Sequence, residues 1–533
     1  MRGSFKRFAF LALGLVLVGA LTAAVAAARG TKSSASKIRN GGTLTIGLAE
    51  EPDALDPTIA RTFVGRIVFQ AMCEKLYDLD SHLNIVPQLA ASLPKVSKDK
   101  LTYTIKLRKG IKFNDGTAFN AAAVKTTIDR YLTFKGSVRK SEISPIKSVA
   151  APNATTVVLN LSAPYSPLTA QLADRAGMVL SPKALASGGS FAQNPVCVGA
   201  FSFKDRVAGD HITLVKSPFY YDKAHVHLAS IVFKIMTDPS SRTQALRAGD
   251  IQVEDRIQST DVPTLQKDKS VTVSKAVTIG YQGLTLNIGN AKGVGNGFSN
   301  VGTPIAKSQF LRTAFDAALD RTTINKVVFG GLNLPDCYPL APVSPWYKPT
   351  TAGLQCNLHS NVALAKSLVK ASGIANPTVH LMLGGTDPVT ARLGQVIQSM
   401  EKAAGINVTV QPTEFTTSLN SATAGNFDAY AVGWSGRVDP DGNIYSQVAT
   451  PGTLNYSGYS SAKLDYILNG ARKSVTTKAR DTLYKAAMKI IHRDRPIIYL
   501  YHPINYYGIS KKVTGVKIYG DGLIRAQNAG FAQ

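Results

Sequence analysis

Several short stretches carry side chains of the types that do chemistry. His492-Arg493-Asp494 has the order of a phosphotransferase catalytic loop, but Pro496 follows and the asparagine such a loop needs is missing. It reads as a charged helix end. His225 and His227 would place two imidazoles on one face of a strand. Zinc takes a tetrahedral set, and no third ligand stands nearby, so packed or surface histidines are expected. Asp439-Pro440-Asp441-Gly442-Asn443 is rich in oxygen ligands, yet its glycine is misplaced for a calcium loop and no glutamate stands at the twelfth position. Gly293, Gly295 and Gly297 lack the spacing of a dinucleotide-binding turn and read as a flexible loop. No serine nucleophile elbow is present. No catalytic residues, metal or cofactor are expected, and a binding role is the better-supported class.

These stretches have to be positioned by alternating strands and helices. Leu101, Tyr103, Ile105 and Leu107 alternate with polar residues, the period of a half-buried strand. Asn114-Asp115-Gly116 is a turn signal. Asn120 can then cap a helix bearing Val124, Ile128, Tyr131 and Leu132 on one face. Further strands are expected at 41–46, 155–161, 212–215, 231–235, 284–288, 406–411 and 497–501. Helices are expected at 63–77, 310–319, 361–373, 387–405 and 476–494, with another stopping at Gly249. Such alternation argues for an α/β fold with a largely buried sheet. At 533 residues the chain is too long for one core, and two or three domains are expected.

Residues 1–28 read as a cleaved secretory signal: Arg2, Lys6 and Arg7, an apolar run from Phe8 to Val25, then Ala26-Ala27-Ala28. The alternative is a retained membrane anchor, since the run approaches spanning length. No cysteine follows it closely, so a lipoprotein attachment point is missing, and a periplasmic or secreted protein is expected. Residues 29–40 read as a flexible linker. The net charge is +26, but the basic residues are dispersed, without an Arg-rich helix or an aromatic-interleaved motif. A basic surface is expected rather than a nucleic-acid partner.

Four cysteines, at 73, 197, 337 and 356, allow three pairings in an exported protein. Cys337 and Cys356 share one Pro-rich loop and form the first expected pair, which leaves Cys73 with Cys197. Four buried free thiols are the alternative. The shorter loop would contribute ~3 kcal/mol in the chain-entropy picture.

The order of the motifs resembles the family 5 bacterial extracellular solute-binding proteins, the oligopeptide-, dipeptide- and nickel-binding type. The densest match is Tyr103, Leu107-Arg108-Lys109-Gly110, Lys112-Phe113, Asp115-Gly116-Thr117, Ala121 and Val124. Ala118, Asn120 and Ala123 depart from the family's proline, threonine and acid. Segments 51–57, 87–93, 194–201, 217–221, 242–251 and 319–321 match in the family's order, so the resemblance spans nearly all of 41–520. It implies a two-lobed periplasmic-binding-protein-like α/β fold of the class II or cluster C type, with an extra subdomain inserted in the N-terminal lobe. Lobe I would comprise 41–77, the insert 78–193, and 194–280; lobe II would be 281–490, and 491–533 would return to lobe I.

The resemblance also implies a site. Arg61, Thr62, Phe63 and the hinge aromatic Tyr281 would face the ligand, with Trp434, Arg437 and Asp439 from the loop 433–440. In peptide-binding relatives that loop supplies an aspartate for the ligand's α-ammonium, and here Arg437 stands in its place. A guanidinium in a cleft prefers carboxylate or phosphate, so an anionic ligand is one expectation. A structural ion pair with a neighbouring acid is the other. Trp434 would stack on the ligand or pack in the core. The implied function is the substrate-binding subunit of an ABC importer, a monomer delivering short peptides to a permease by hinge closure. The alternatives are an anionic or opine-like solute, nickel less so, an exported hydrolase, or an envelope-binding structural protein.

Overall fold

The computed structural model describes residues 38–348 and 357–533. The expected signal, most of the expected linker, and Cys356 with its pairing to Cys337 lie outside the described residues.

Two large sheets organise the described residues. The first runs Val271–Val277, Ile504–Ser510, Val253–Glu254, Thr43–Leu48, Ser230–Ile235, His211–Lys216, Phe201–Val207. Thr43–Leu48 is flanked in parallel by Ser230–Ile235 and Val253–Glu254, and its Leu44, Ile46 and Leu48 are fully buried. Thr43 and Thr45 alternate with these buried residues at the start of the strand, and Gly47 is buried as well. The second sheet runs Leu334–Pro335, Ile497–His502, Tyr281–Leu286, Ala429–Trp434, Thr378–Gly384, Asn407–Thr413. Helices Gln309–Ala318, Arg321–Phe329 and Pro388–Ala404 bury apolar faces in the core beneath it. A separate antiparallel sheet, Lys95–Val96, Thr102–Lys106, Thr156–Leu161, Ile146–Asn153, carries the helix Ala121–Thr133. Its hydrophobic core is continuous with that of the first sheet. The architecture is thus α/β and two-lobed, with this extra layer on the first lobe.

The chain crosses between lobes twice. Val277 ends a strand of the first sheet and Tyr281 begins one of the second; His502 and Ile504 reverse the passage. Thr278 ties the crossings together, donating from its N (3.2 Å) and its Oγ1 (2.8 Å) to the carbonyl of Pro503.

Local signals set most element ends. Asn120 Oδ1 accepts from Ala123 N at 3.0 Å, capping its helix. Asp387 caps Pro388–Ala404, which stops at the left-handed Gly405, and Gly249 stops Pro239–Ala248 in the same conformation.

Several elements differ from expectation: the strand expected at 284–288 is Tyr281–Leu286, and Ile497–His502, expected in the segment returning to lobe I from 491, is a strand of the second sheet, so the return comes after His502. The helix expected over 63–77 ends at Met72, although its apolar period continues to Leu76. Beyond it, Cys73 is bonded to Cys197, Glu74 N donates to Val198 O, and Leu76 N donates to Gly177 O. These tertiary partners satisfy the backbone better than another helical turn would. The first strand starts at Thr43 rather than Gly41, because Gly41 and Gly42 have φ of +90° and +82°. Ile38–Arg39, read as linker, is a short strand paired with Phe531 and Ala532.

Candidate functional site

A cavity of about 440 Å³ lies where the two sheets and the two crossings meet. Ala49, Glu50, Phe63, Arg242 and Arg256 line it from the first lobe, Thr278, Pro503 and Ile504 from the crossings. Gly384 to Asp387, Glu414, Phe415 and Ala431 to Ser435 line it from the second lobe. The second-lobe residues sit at the carboxyl ends of strands Thr378–Gly384, Asn407–Thr413 and Ala429–Trp434. Open α/β sheets offer ligand crevices there, because helices start and backbone N–H groups point outward at those ends.

Phe63, Tyr281, Phe329, Phe415, Trp434, Tyr501 and Tyr506 make the wall strongly aromatic. Such rings present large apolar faces at little entropic cost. Tyr281 packs edge-on to Tyr499 with centroids 4.9 Å apart, and burial pushes its phenol up, so it stays protonated. Arg256 lies over Phe63, 5.1 Å from the ring centroid.

The charges of the wall divide into committed and uncommitted groups. Arg256 donates to Asp255 and, at 3.0 Å, to Glu50. Arg242 donates to the carbonyls of Met236 and Arg256 and faces Glu254 at 3.8 Å. Asp521 is paired with Arg525 at 2.6 Å. Asp387 and Glu414 have no cationic partner within salt-bridge distance among the described residues. Each instead caps a helix: Asp387 Oδ1 accepts from Val389 N and Thr390 N at 3.0 Å, and Glu414 accepts from Thr416 N and Thr417 N at 2.9 and 2.7 Å. Burial raises the Glu414 carboxyl, but those amides outweigh it and hold it below its usual value. The uncompensated charge of the cavity is therefore negative, in a chain of net charge +26.

Of the seven residues expected at the ligand, the structure brings Phe63, Tyr281 and Trp434 to the cavity wall. The other four lie behind it. Arg61 pairs with Asp53 at 3.1 Å and reaches across the lobes to Thr423 Oγ1 (2.9 Å) and Asn420 Oδ1 (2.8 Å). Thr62 is buried and caps the helix Phe63–Met72, its Oγ1 accepting from Gly65 N at 3.2 Å. Asp439 accepts two bonds from Arg480, at 2.8 and 2.6 Å. Arg437 is buried against Trp434 and pairs with Asp174 at 2.5 Å, the structural ion pair rather than a cavity cation. Burial lowers its guanidinium to about 10, and Asp174 works against that fall. Sequence reasoning missed Asp387 and Glu414 as cavity groups. Asp387 is visible in the sequence only as a helix start, and Glu414 carries no signal there beyond lying between a strand and a helix.

The remaining candidates fall outside the cavity. His225 accompanies Asp222 and His227 accompanies Asn40, both on the exposed side. Asp441 holds Arg472 at 2.7 Å. Among the described residues no group of three His, Cys, Asp or Glu side chains is placed to hold a metal. Cys73 is joined to Cys197 as expected.

The sequence model of the bacterial extracellular solute-binding proteins, family 5 middle region, matches residues 84–455. The glutathione-binding protein GsiB of Escherichia coli is 27% identical over 531 residues, covering 95% of this chain and 96% of that protein. The oligopeptide-binding protein AppA of Bacillus subtilis, solved with a nonapeptide, superposes with a TM-score of 0.84 at 22% identity, over 93% of this chain and 100% of that one. AgaA from A. tumefaciens, solved with agropinic acid, superposes with a TM-score of 0.81 at 25% identity, over 92% and 99%. These relatives are substrate-binding proteins, and family 5 members deliver peptides or small molecules to ABC permeases. The chain belongs to the family 5 bacterial extracellular solute-binding proteins.

Proposed function

We propose that this protein is the exported binding subunit of an ABC importer, and that it captures a short peptide bearing a free cationic group between its lobes. The observation that carries the reading is the charge state of the cavity. Both of its guanidiniums are spent on acids or carbonyls, while Asp387 and Glu414 have no cation within salt-bridge distance among the described residues. A carboxylate already held by helix N–H groups is preorganised, and its remaining lone pairs suit an ammonium. The aromatic wall would take side chains. A volume of about 440 Å³ falls in the lower half of the ~300–1,000 Å³ range of small-molecule sites, which favours a ligand of di- to tripeptide size. The identity to GsiB, a binder of glutathione, supports the same size class.

A second reading, an anionic or opine-like solute, draws on the likeness to AgaA but finds no uncommitted cation in the cavity wall. The test is calorimetry of the signal-less protein against di- and tripeptides with free or acetylated amino termini, on wild type and Asp387→Asn. The expected result is binding of the free peptides, lost on acetylation and weakened at least tenfold in Asp387→Asn. Equal binding of acetylated peptides, or binding only of acidic solutes, would overturn the reading.

A further inference from the structure

The turn Trp434-Ser435-Gly436-Arg437 touches three things at once. Trp434 and Ser435 line the ligand cavity. Gly436 lies against the first crossing: its φ is +79°, and a Cβ there would stand 2.2 Å from the carbonyl oxygen of Ile279. Gly280 shows the same closeness from the other side, since a Cβ would stand 2.3 Å from Trp434 O. Arg437 then leaves the second lobe and reaches Asp174, which is buried among Leu172, Ala173 and Ala176 in the core of the first.

Asp174 sits at the centre of a buried charge cluster. Its Oδ1 accepts from Arg66 Nε at 3.0 Å and its Oδ2 faces Arg437 Nε at 2.5 Å. Arg66 Nη1 also donates to Ser435 Oγ at 3.2 Å, a second bond across the lobes. Arg175 and Arg139 lie behind, both fully buried and both donating to Ala60 O, with Glu142 against Arg139 at 2.7 Å. Burial raises the Asp174 carboxyl, but Arg437, Arg66, Arg175 and Arg139 overcome it, so it stays ionised. Among the described residues, Asp174 is the anion in salt-bridge contact with both Arg437 on one lobe and Arg66 on the other.

On the far side of this pair, the Arg437 guanidinium lies over Trp434, 4.5 Å from the ring centroid. Asn443 fixes both: its Oδ1 accepts from Trp434 Nε1 at 3.1 Å and from Arg437 N at 2.8 Å, and its Nδ2 donates to Arg437 O at 2.8 Å. The indole therefore both lines the cavity and carries the guanidinium of the interlobe ion pair over its ring.

We infer that Asp174 and Arg437 are positioning residues forming an interlobe latch that couples occupancy at Trp434 to lobe closure. The proposal goes beyond the identity of the ligand and rests only on the lobes closing around one. The two residues are not equivalent. Losing Arg437 leaves Asp174 with Arg66. Losing the Asp174 charge leaves Arg66, Arg175 and Arg437 facing one another in a buried interface, and like charges then oppose closure.

The test is a double-mutant cycle on the signal-less protein with Asp174→Asn, Arg437→Met and the pair. It is read by small-angle scattering with and without a mixture of di- and tripeptides, and by calorimetric affinity. Circular dichroism selects folded variants. Asp174→Asn is expected to shift scattering toward the separated lobes and to weaken apparent affinity about tenfold or more, within the usual range of intersite coupling. Adding Arg437→Met should recover most of both losses, because it removes the repelling cation. Should Asp174→Asn fail to fold, Arg437→Met alone is expected to shift the scattering by a smaller amount. Unchanged scattering in the folded variants, or losses in the pair that simply add, would overturn the latch. Scattering without ligand decides this whatever the ligand proves to be, so failure to bind peptides would sink the function proposed above and leave the latch to its own result.

Discussion

The Cys73–Cys197 bond allows a prediction whose size follows from the chain alone. It joins the end of the helix Phe63–Met72 to a loop 124 residues on, and both cysteines are buried in the first-lobe core. Opening it by Cys73→Ala with Cys197→Ala frees a loop of that length in the unfolded chain. The chain-entropy relation gives about 5 kcal/mol for such a loop, larger than for a short one because the unfolded chain is more constrained. With an unfolding entropy of ~2.1 cal/mol/K per residue, the melting temperature should fall by about 5 °C if all described residues unfold together. It should fall by about 9 °C if the first lobe, roughly 270 residues, melts by itself. Differential scanning calorimetry separates these cases, because only a transition involving the first lobe should move. The unfolding rate should change little, since the bond acts mainly on the unfolded state. A fall below about 1 °C, or a loss expressed wholly as faster unfolding, would refute the argument.

Two further outcomes are expected. Asp439→Ala should cost about 3–5 kcal/mol, because the buried Arg480 guanidinium loses both of its carboxylate bonds. Measured by chemical denaturation beside calorimetry, it should leave ligand affinity unchanged in the folded fraction. Glu74, buried under the hydroxyls of Tyr220 and Tyr221, is pushed up to about 7 by burial. Its folded value exceeds its unfolded one, so its stabilising contribution is full below about 4.5 and is lost as pH rises toward 7. Glu74→Gln should flatten the decline of stability across that window in pH-dependent melting, and an unaltered slope would count against it.

Much of this fold is legible in one chain because its signals are local. Alternation over 101–107, the Asn120 cap, Pro388 after Asp387, and Gly249 and Gly405 as stops each depend on a few neighbouring residues, and each element formed where they point. The helix expected to reach Tyr77 did not, because its last turn competes with Val198 and Gly177, more than a hundred residues away. The site divides the same way. Phe63, Tyr281 and Trp434 reach the cavity because each begins or ends an element at a sheet edge or crossing. Arg437 was recognisable as a cation in a special loop, but its partner Asp174 lies 263 positions earlier, and no spacing rule joins them.

The sequence by itself determined the alternation of strand and helix, the caps and stops, the two-lobed family and the turn that bears Trp434. Only the tertiary structure decided which charges meet. It spent Arg437 and Arg61 on the acids Asp174 and Asp53 and Asp439 on the guanidinium of Arg480, all behind the cavity wall, and left Asp387 and Glu414 facing its space. The physical reason is range. Backbone capping and apolar periodicity act over a few residues, whereas a buried charge is stable only beside its counter-charge, and that partner is set by how the two lobes close on each other.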